Sequence, residues 1–499
     1  MIKVLLINPP WVTPKGYENK LVVPYPLGIS YVAAFLEKNG IEVKILDVLA
    51  EDFENKSVLP DGSVRFGLSD KKVLEYVGNF NPDVIGITCL FTTQSKAMHM
   101  LVNLLKKNFP KIPIIVGGIH VSSCPEETMA NENIDFVVRG EGEITAMELL
   151  NVLKNKTDVS KVKGVYYRKN GEVKYTGDRL LNMKLDSFPS PAYHLLNMEK
   201  YFEAGRKGKG SREGVSNDKW VSVITSRGYP FECFFCSIRN IYGQVWRPRS
   251  PENVLEEIEN LVNQYGISHF LFEDDNLTFD TKRAKKIFNG ILKMGLKITW
   301  ETPNGIRADK IDDELIEIMK KSGCVSLTIG IESGDQEFLL NTVKKKLKLQ
   351  DVVRATKMIT SHDIAVNGFF ILGMPGETGE TMKKTISFAR KLARMGLYPE
   401  FNIATPLPAT EMYEMAKDRG LLLREPEPFD IMLICGNPLI KIDGYTPEQL
   451  VALRRKAILF CLIDMLVFNP RAFLSREKTR NMINPLHVAK KVLSIVYRR

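Results

Sequence analysis

The chain has 499 residues, of which 44% are hydrophobic and 26% are charged. This is the composition of a folded protein of about three domains, and it excludes a disordered chain. The formal net charge is +10, but residues 450–499 hold eleven basic and two acidic residues and so account for +9 of it. We expect no nucleic-acid partner, because this basic segment lacks the interleaved aromatic residues that stack on bases.

The cysteine content indicates a reducing compartment. Seven cysteines are scattered along the chain at positions 89, 124, 233, 236, 324, 435 and 461. An odd, dispersed set does not suit a secreted disulfide framework, so we predict a cytoplasmic protein. The first apolar run stops at Asn8 and two prolines, and the run 457–468 is short and contains Asp464. Neither run is long enough to span a bilayer.

The first 150 residues alternate predicted strands with predicted helices. Short β-branched runs occupy 3–9, 42–47, 84–90, 112–118 and 136–141, and apolar residues recur at helical spacing in 27–39 and 94–107. Such alternation predicts a doubly wound, Rossmann-like parallel sheet with helices on both faces. Ligands of these sheets bind outside the carboxyl ends of the strands.

The rest of the chain divides into three further regions. Residues 151–215 are rich in turns and are interpreted as a connector. Residues 216–430 contain six strand-then-helix units, two fewer than a complete (βα)8 barrel, with strands at 221–226, 269–274, 298–303, 326–332, 365–373 and 400–405. Residues 431–499 form a basic extension in which 445–468 and 485–499 have the apolar spacing of amphipathic helices.

Two closely spaced cysteines, Cys233 and Cys236, follow the first strand of the second α/β region. A pair with this spacing is typical of two buried structural thiols or of a metal site. The surrounding segment, Thr-Ser-Arg-Gly-Tyr-Pro-Phe-Glu-Cys-Phe-Phe-Cys, favours the metal site. It resembles the cluster loop of radical S-adenosylmethionine (SAM) enzymes, in which three cysteines spaced C-x3-C-x2-C hold a [4Fe-4S] cluster.

The position expected for the first cluster cysteine is occupied by Tyr229. A phenol is a harder ligand than a thiolate and ordinarily deprotonates near pH 10, so the cluster is expected to be weakened or changed. Direct ligation of iron by Tyr229 ranks below loss, or weak binding, of one cluster corner. The metal-site residues implied by the resemblance are thus Cys233, Cys236 and the position of Tyr229.

The same resemblance implies an open six-unit barrel whose strand ends bind SAM. An aromatic residue between the cysteines corresponds to the one near adenine in the family, and polar residues recur at the ends of successive strands. Taken singly, each acid is as well explained as a helix cap or a solvated charge. The predicted SAM-binding residues are Phe235, Glu273, Asn304, Arg307, Glu332 and Ser333.

The first region resembles the cobalamin-binding domain that precedes radical SAM cores. The resemblance rests on Asn-Pro-Pro, Pro-Leu-Gly-Ile-Ser-Tyr, Gly-Gly-Ile-His and Arg-Gly-Glu-Gly-Glu. The histidine motif D-x-H-x-x-G is absent, so cobalamin is expected to bind without that lower ligand. Glycine pairs allow a large ring or its tail to approach the backbone. The predicted cobalamin-binding residues are Pro9, Leu27, Thr88, Gly117, Gly118, His120 and Glu141.

These resemblances imply a cobalamin-dependent radical SAM enzyme, with cobalamin, SAM and a [4Fe-4S] cluster as cofactors and a methyl group delivered to an unactivated carbon. The expected partners are a small-molecule substrate, with a lipid or isoprenoid favoured, and a reductant such as ferredoxin or flavodoxin. Two alternatives remain: a noncatalytic protein that binds SAM and cobalamin, and a peripheral membrane protein acting through its basic tail. A basic amphipathic helix either lies on a membrane or packs on the barrel. We favour packing for 445–468 and leave both possibilities open for 485–499.

Overall fold

The computed structural model describes residues 2–210, 219–432 and 438–479. The chain forms two compact units, the first comprising Met1–Gly210 with Ser237–Gly243, and the second Ser211–Cys236 with Gln244–Arg499. Cys435 and the predicted helix 485–499 lie outside the described residues. Among the helices that can be described, none is long and apolar enough to cross a membrane.

The first unit contains ten strands and nine helices within the described residues. The strands are β1 (Lys3–Asn8), β2 (Trp11–Thr13), β3 (Glu42–Asp47), β4 (Lys56–Val58), β5 (Val64–Phe66), β6 (Val84–Thr88), β7 (Ile114–Gly117), β8 (Phe136–Val138), β9 (Val165–Lys169) and β10 (Glu172–Tyr175). The helices are α1 (Leu27–Lys38), α2 (Val48–Glu51), α3 (Asp70–Phe80), α4 (Ser95–Asn108), α5 (Ile119–Ser123), α6 (Pro125–Met129), α7 (Gly142–Asn155), α8 (Met198–Arg206) and α9 (Arg239–Tyr242).

The main sheet of this unit has the order β10-β9-β8-β7-β6-β1-β3. The five strands from β3 to β8 are parallel, and side chains alternate between its two faces. Leu5 and Ile7 pack into one apolar core with α3 and α4, whereas Val4 and Leu6 pack into another with α1 and α7. Burial on both faces gives the doubly wound architecture predicted from the sequence.

Residues 151–210, which the sequence interprets as a connector, belong to the first unit. Strands β9 and β10 continue the main sheet in antiparallel fashion beyond β8. Helix α8 packs against α2, and the Tyr201 hydroxyl donates a 2.7 Å hydrogen bond to buried Asp47. Strand β10 was not predicted because it has only four residues and is largely exposed, so it lacks the buried apolar run that indicates a core strand.

The second unit is built on six parallel strands in sequential order, β11-β14-β15-β16-β17-β18, with two short strands that pair separately. The strands are β11 (Trp220–Val223), β12 (Ser226–Arg227), β13 (Arg247–Pro248), β14 (His269–Phe272), β15 (Thr299–Ile306), β16 (Cys324–Glu332), β17 (Ala365–Leu372) and β18 (Leu397–Ile403). Sequential order without a reversal is that of a barrel wall, so the predicted six-unit partial barrel is confirmed.

The helices of the second unit follow these strands and continue into the C-terminal extension. They are α10 (Pro251–Tyr265), α11 (Thr281–Lys293), α12 (Asp313–Lys321), α13 (Gln336–Asn341), α14 (Leu349–Ser361), α15 (Gly379–Arg394), α16 (Glu411–Asp418), α17 (Pro428–Met432), α18 (Pro447–Phe468) and α19 (Pro470–Thr479). Helix α18 packs against α15 and β18, as predicted for the first extension helix.

A buried glutamate closes the turn that follows β17. The Glu377 carboxylate accepts hydrogen bonds from the backbone N–H groups of Gly373 and Met374, at 2.6 and 3.0 Å. Burial raises the pKa of Glu377 to about 8, although these two hydrogen bonds oppose the shift. The folded protein therefore binds a proton here that the unfolded chain has released by neutral pH.

Replacement of Glu377 by Gln is predicted to flatten the pH dependence of stability. A raised acid pKa contributes stability that is complete at low pH and is lost as the pH rises towards 8, at up to about 1.4 kcal/mol per pH unit. Wild type should therefore lose stability relative to Glu377→Gln between pH 5 and 8, as measured by denaturant unfolding. Glu380→Gln, at an exposed position of the next helix, is the control. Parallel curves for wild type and Glu377→Gln would refute the assignment.

Candidate active site

The loop that carries the two cysteines is anchored before it reaches them. Asp274, just beyond β14, accepts hydrogen bonds from the backbone N–H and the hydroxyl of Thr225, at 3.1 and 2.7 Å, and from the hydroxyl of Ser226. The Arg283 guanidinium donates to the carbonyl of Thr225 at 2.7 Å. Because all these groups are buried, the start of the loop is fixed by hydrogen bonds that water cannot replace.

The cysteine segment itself forms a tight turn. The backbone N–H of Cys236 donates to the carbonyl of Cys233 at 3.0 Å, and Phe234 between them is fully buried. The backbone N–H of Phe234 donates to the carbonyl of Val343 at 3.2 Å, and the carbonyl of Phe234 accepts from the N–H of Met412 at 2.9 Å. The turn is thus attached to the barrel on both sides, with Phe235 half-buried beside it.

A buried ion pair lies beside the predicted metal residues. The Lys345 ammonium is 2.8 Å from a carboxylate oxygen of Glu332, and both side chains are less than one-tenth exposed. Burial lowers the pKa of Lys345, but Glu332, Cys233 and Tyr229 together outweigh it and raise that pKa above its ordinary value, so the ammonium stays charged. Breaking such a pair leaves one buried charge without compensation, at a cost of about 3–5 kcal/mol.

This cation and Arg307 act directly on Tyr229 and Cys233. Burial raises the pKa of Tyr229 to about 12, while the positive charges of Lys345 and Arg307 oppose the shift. Burial also raises the pKa of the Cys233 thiol, again against the charge of Lys345. The structure therefore brings Tyr229, Cys233, Arg307 and Glu332 together around Lys345, where burial favours the protonated phenol and thiol and the two cations lessen that preference.

The donor set does not amount to a complete cluster site by itself. Among the described residues, no three His, Cys, Asp or Glu side chains converge as a metal-binding group. Two thiols and a buried phenol occupy the positions that carry three thiols in the family signature. The residues present consequently supply one soft ligand fewer than that signature requires.

A second group of polar residues gathers at neighbouring strand ends. The side-chain amide of Asn304 donates to the carbonyl of Glu273 at 2.9 Å, and the Ser222 hydroxyl lies 3.3 Å from the Glu273 carboxylate. Glu332 closes β16 with a left-handed backbone, φ +70°, which turns the chain sharply at the barrel mouth. Ser333 is fully buried, and its hydroxyl is 3.1 Å from that of Thr385. Ser333 thus contacts the helix behind the strand, while the assignment of these residues to SAM stays a prediction.

Lys345 was not identified from the sequence. It is the middle residue of three consecutive lysines, a run that ordinarily lies in solvent. The left-handed conformation of Lys344, φ +59°, directs the turn so that Lys345 is buried, while Lys344 pairs with partly exposed Glu411. No pattern in the sequence distinguishes the three lysines.

In the first unit, predicted cobalamin-binding residues share one edge of the main sheet. Pro9 follows β1, Thr88 ends β6, Gly117 ends β7 and Glu141 follows β8. Because these strands are parallel neighbours, their carboxyl ends meet at this edge. Strand β3 lies on one side of β1, and β6, β7 and β8 lie on the other, so the strand order reverses between β1 and β6. Doubly wound sheets bind their ligands at such a reversal. Leu27 is the buried first residue of α1.

The two glycines after β7 have different structural roles. Gly118 has φ +115°, and a Cβ there would lie 2.5 Å from the carbonyl oxygen of Cys89. A Cβ at Gly117 would meet only Val138, at 3.7 Å, which is an ordinary contact. The fold therefore requires a glycine at 118 but not at 117. A ligand that approaches the backbone closely would explain the glycine at 117.

His120 is buried behind this edge. Its Nδ1 lies 3.2 Å from the Thr92 hydroxyl, and its Nε2 is covered and has no hydrogen-bond partner among the described residues. Burial lowers the pKa of His120 to about 4, so the ring is neutral. The assignment of His120 to cobalamin stays a prediction.

Substitution of the two glycines by alanine should separate folding from binding. Gly118→Ala is expected to cost about 1–3 kcal/mol of stability through backbone strain and the clash with Cys89. Gly117→Ala is expected to unfold at the wild-type temperature but to bind hydroxocobalamin more weakly, measured by equilibrium dialysis. Equal cobalamin affinity for Gly117→Ala and wild type would exclude close approach of the ligand to this backbone.

Two family models match the chain. The B12 binding domain matches residues 21–150, and the radical SAM superfamily matches residues 223–389. The first match includes strands β3 to β8, and the second includes the cysteine loop and strands β12 to β17.

Individual relatives extend the similarity over nearly the whole chain. The cytidylyl-2-hydroxyethylphosphonate methyltransferase of Streptomyces wedmorensis is 33% identical over 91% of this chain and 89% of its own. The hopanoid C-3 methylase of Methylococcus capsulatus is 23% identical over 86% and 75%. The solved structure of TsrM from Kitasatospora setae, a radical SAM methyltransferase with cobalamin and a [4Fe-4S] cluster bound, has 18% identity and a TM-score of 0.65, covering 85% of this chain and 76% of its own.

The chain therefore belongs to the cobalamin-dependent radical SAM methyltransferases. The predicted fold class, enzymatic function and set of cofactors, namely cobalamin, SAM and a [4Fe-4S] cluster, are confirmed at the level of the family. The alternatives of a noncatalytic binding protein and of a protein acting mainly through its tail are not favoured.

Proposed function

We propose that this protein methylates an unactivated carbon of a lipid or isoprenoid, with Cys233, Cys236 and the position of Tyr229 as its cluster residues. The main support is the single chain that carries both cofactor domains and resembles carbon methyltransferases along its length. When bound, the cofactors supply the methyl group and the radical chemistry. The protein binds and orients them and excludes water.

The residues at the barrel mouth have separate roles in this proposal. Cys233 and Cys236 provide thiolates to iron. The polar groups of Glu273, Asn304 and Glu332 suit the ammonium and hydroxyl groups of SAM. Arg307, held by Asp309 at 2.8 Å, suits its carboxylate, and the half-buried ring of Phe235 suits its adenine. Lys345 positions Glu332 and offsets the negative charge that thiolates bring into a buried site.

Tyr229 is proposed to leave one corner of the cluster lost or weakly held. Its hydroxyl would have to lose a proton to bind iron well, and burial disfavours that loss. A cysteine at this position would stand near the same two cations, Lys345 and Arg307, and its thiolate would be stabilised by them. The third ligand is thus lost because the side chain at 229 is a phenol, and not because the loop has a different backbone.

Replacement of Tyr229 by Cys should raise the iron and sulfide bound after anaerobic reconstitution. The gain should be at least about twofold if one corner is weakly held, because a third soft ligand completes the set. Reductant-dependent formation of deoxyadenosine from SAM should rise in parallel. Iron and acid-labile sulfide counts on the purified protein provide the measurement.

Tyr229→Phe is the matched control, because it removes only the hydroxyl and keeps the buried ring. It should bind as much iron as wild type. Loss of iron in Tyr229→Phe would mean that the phenolate is a ligand, and no gain in Tyr229→Cys would mean that the loop is not held for three ligands. Either result would overturn the account of this position.

The substrate class is proposed from the relatives and from the extension. A hopanoid methylase is among the relatives, and the C-terminal helix α18 exposes large apolar side chains beside a basic segment. Incubation with methyl-labelled SAM, a reductant and total lipid extract should place label in the lipid fraction. A Cys233→Ala/Cys236→Ala variant controls for background. Label only in an aqueous extract would contradict the lipid class while leaving methyl transfer intact.

Two partners complete the proposal. The reduction of the cluster requires a one-electron donor, for which a ferredoxin or flavodoxin is suited. Access to a membrane-resident substrate requires contact with the membrane surface, which we assign to the C-terminal helices.

A further inference from the structure

We infer that an exposed apolar ridge on α18 and α19 is the surface that docks this protein on an anionic phospholipid membrane. The ridge consists of Phe460, Ile463, Leu466, Val467, Phe468 and Leu474, each between 43% and 63% exposed. Large apolar side chains exposed singly are common, but here six fall within fifteen residues, and Phe460, Ile463 and Val467 share one face of α18 at i, i+3, i+7 spacing, as expected of an interaction site.

The opposite side of α18 explains why these residues are free to face outward. Ala457, Cys461 and Met465 are buried against the barrel. Asp464, buried on the same side, is bound by Arg390 at 2.5 Å and Arg394 at 3.2 Å, both from α15. This ion pair fixes the rotation of the helix, because turning it would bury the ridge and expose the paired carboxylate.

Positive charge borders the ridge. The Arg390 guanidinium lies 5.3 Å from the ring centre of Phe460, and that of Arg394 lies 4.9 Å from the ring centre of Phe468. Exposed Lys456 precedes Phe460 by one helical turn, and exposed Arg471 follows Val467 by four residues. Apolar side chains with cations at their margin suit the boundary between acyl chains and anionic headgroups.

The charge also argues against other occupants. A second copy related by a twofold axis would bring the same arginines and lysines together, and like charges repel. Residues 480–499 of the chain carry five basic residues and no acidic one, so they too are attracted to an anionic surface. An anionic bilayer complements both the ridge and the basic segment.

The test measures sedimentation of the full chain with sucrose-loaded vesicles, either of phosphatidylcholine alone or with about one-third phosphatidylglycerol. Wild type should sediment with the anionic vesicles, less so at high salt. The variant Ile463→Glu/Val467→Glu should bind at least about tenfold more weakly, because it places charge in the acyl region. Its thermal unfolding should match that of wild type, since both positions are exposed.

Val58→Glu/Leu180→Glu is the matched control, because Val58 and Leu180 are exposed apolar residues in the other unit. It should bind vesicles as wild type does. Equal binding of both variants, or no binding by wild type, would overturn the inference. So would a wild-type dimer in light scattering that Ile463→Glu/Val467→Glu dissociates, because the ridge would then be a subunit interface.

The inference rests on the proposed membrane contact, not on methyl transfer. Vesicle binding is measured without SAM or reductant. A protein that binds vesicles through the ridge but labels no lipid would therefore refute the substrate proposal alone.

Discussion

The buried ion pair of Lys345 and Glu332 is the interaction on which the chemistry of the barrel mouth depends. Its Lys345 ammonium opposes the rise that burial causes in the pKa values of Tyr229 and Cys233, whereas Glu332 raises the pKa of Cys233 further. Thiolates and an electron-rich cluster add negative charge to such a region, and a neighbouring ammonium reduces the cost of that charge. The pair also holds Glu332 at the end of β16, where the left-handed backbone turns the chain.

Buried hydrogen bonds explain how the cysteine loop keeps its position although one ligand residue has changed. Its shape is supported by hydrogen bonds to Asp274 and from Arg283 and by the turn between Cys233 and Cys236. A substitution at 229 therefore changes the donor atom without unfolding the loop. Tyr229 is therefore expected to change how iron is bound and not how the loop folds. A cysteine at that position would lie in a loop that is already held in place.

The sequence was sufficient for the architecture, whereas the assignment of individual residues to the cofactors stays a prediction. Strand and helix periods predicted the doubly wound sheet and the six-unit barrel, because burial on both faces leaves a clear apolar signature. Strand β10 was not predicted, because it is exposed and lacks that signature. The burial of Lys345 was not predicted for a different reason. It depends on the backbone conformation of Lys344, and the sequence does not show which of three adjacent lysines is buried. The distinction between Gly117 and Gly118 likewise required the position of the Cys89 carbonyl.

The central claim is that one chain holds an iron–sulfur centre, short of one thiolate, together with a corrinoid. The most direct test is the paramagnetic and electronic spectrum of the anaerobically reconstituted, reduced wild-type protein, which reports both centres in one sample. The account predicts a signal from cobalt of bound cobalamin and a weak signal from a reduced iron–sulfur cluster. A spectrum with bound corrinoid and no iron–sulfur signal at any iron loading would contradict it.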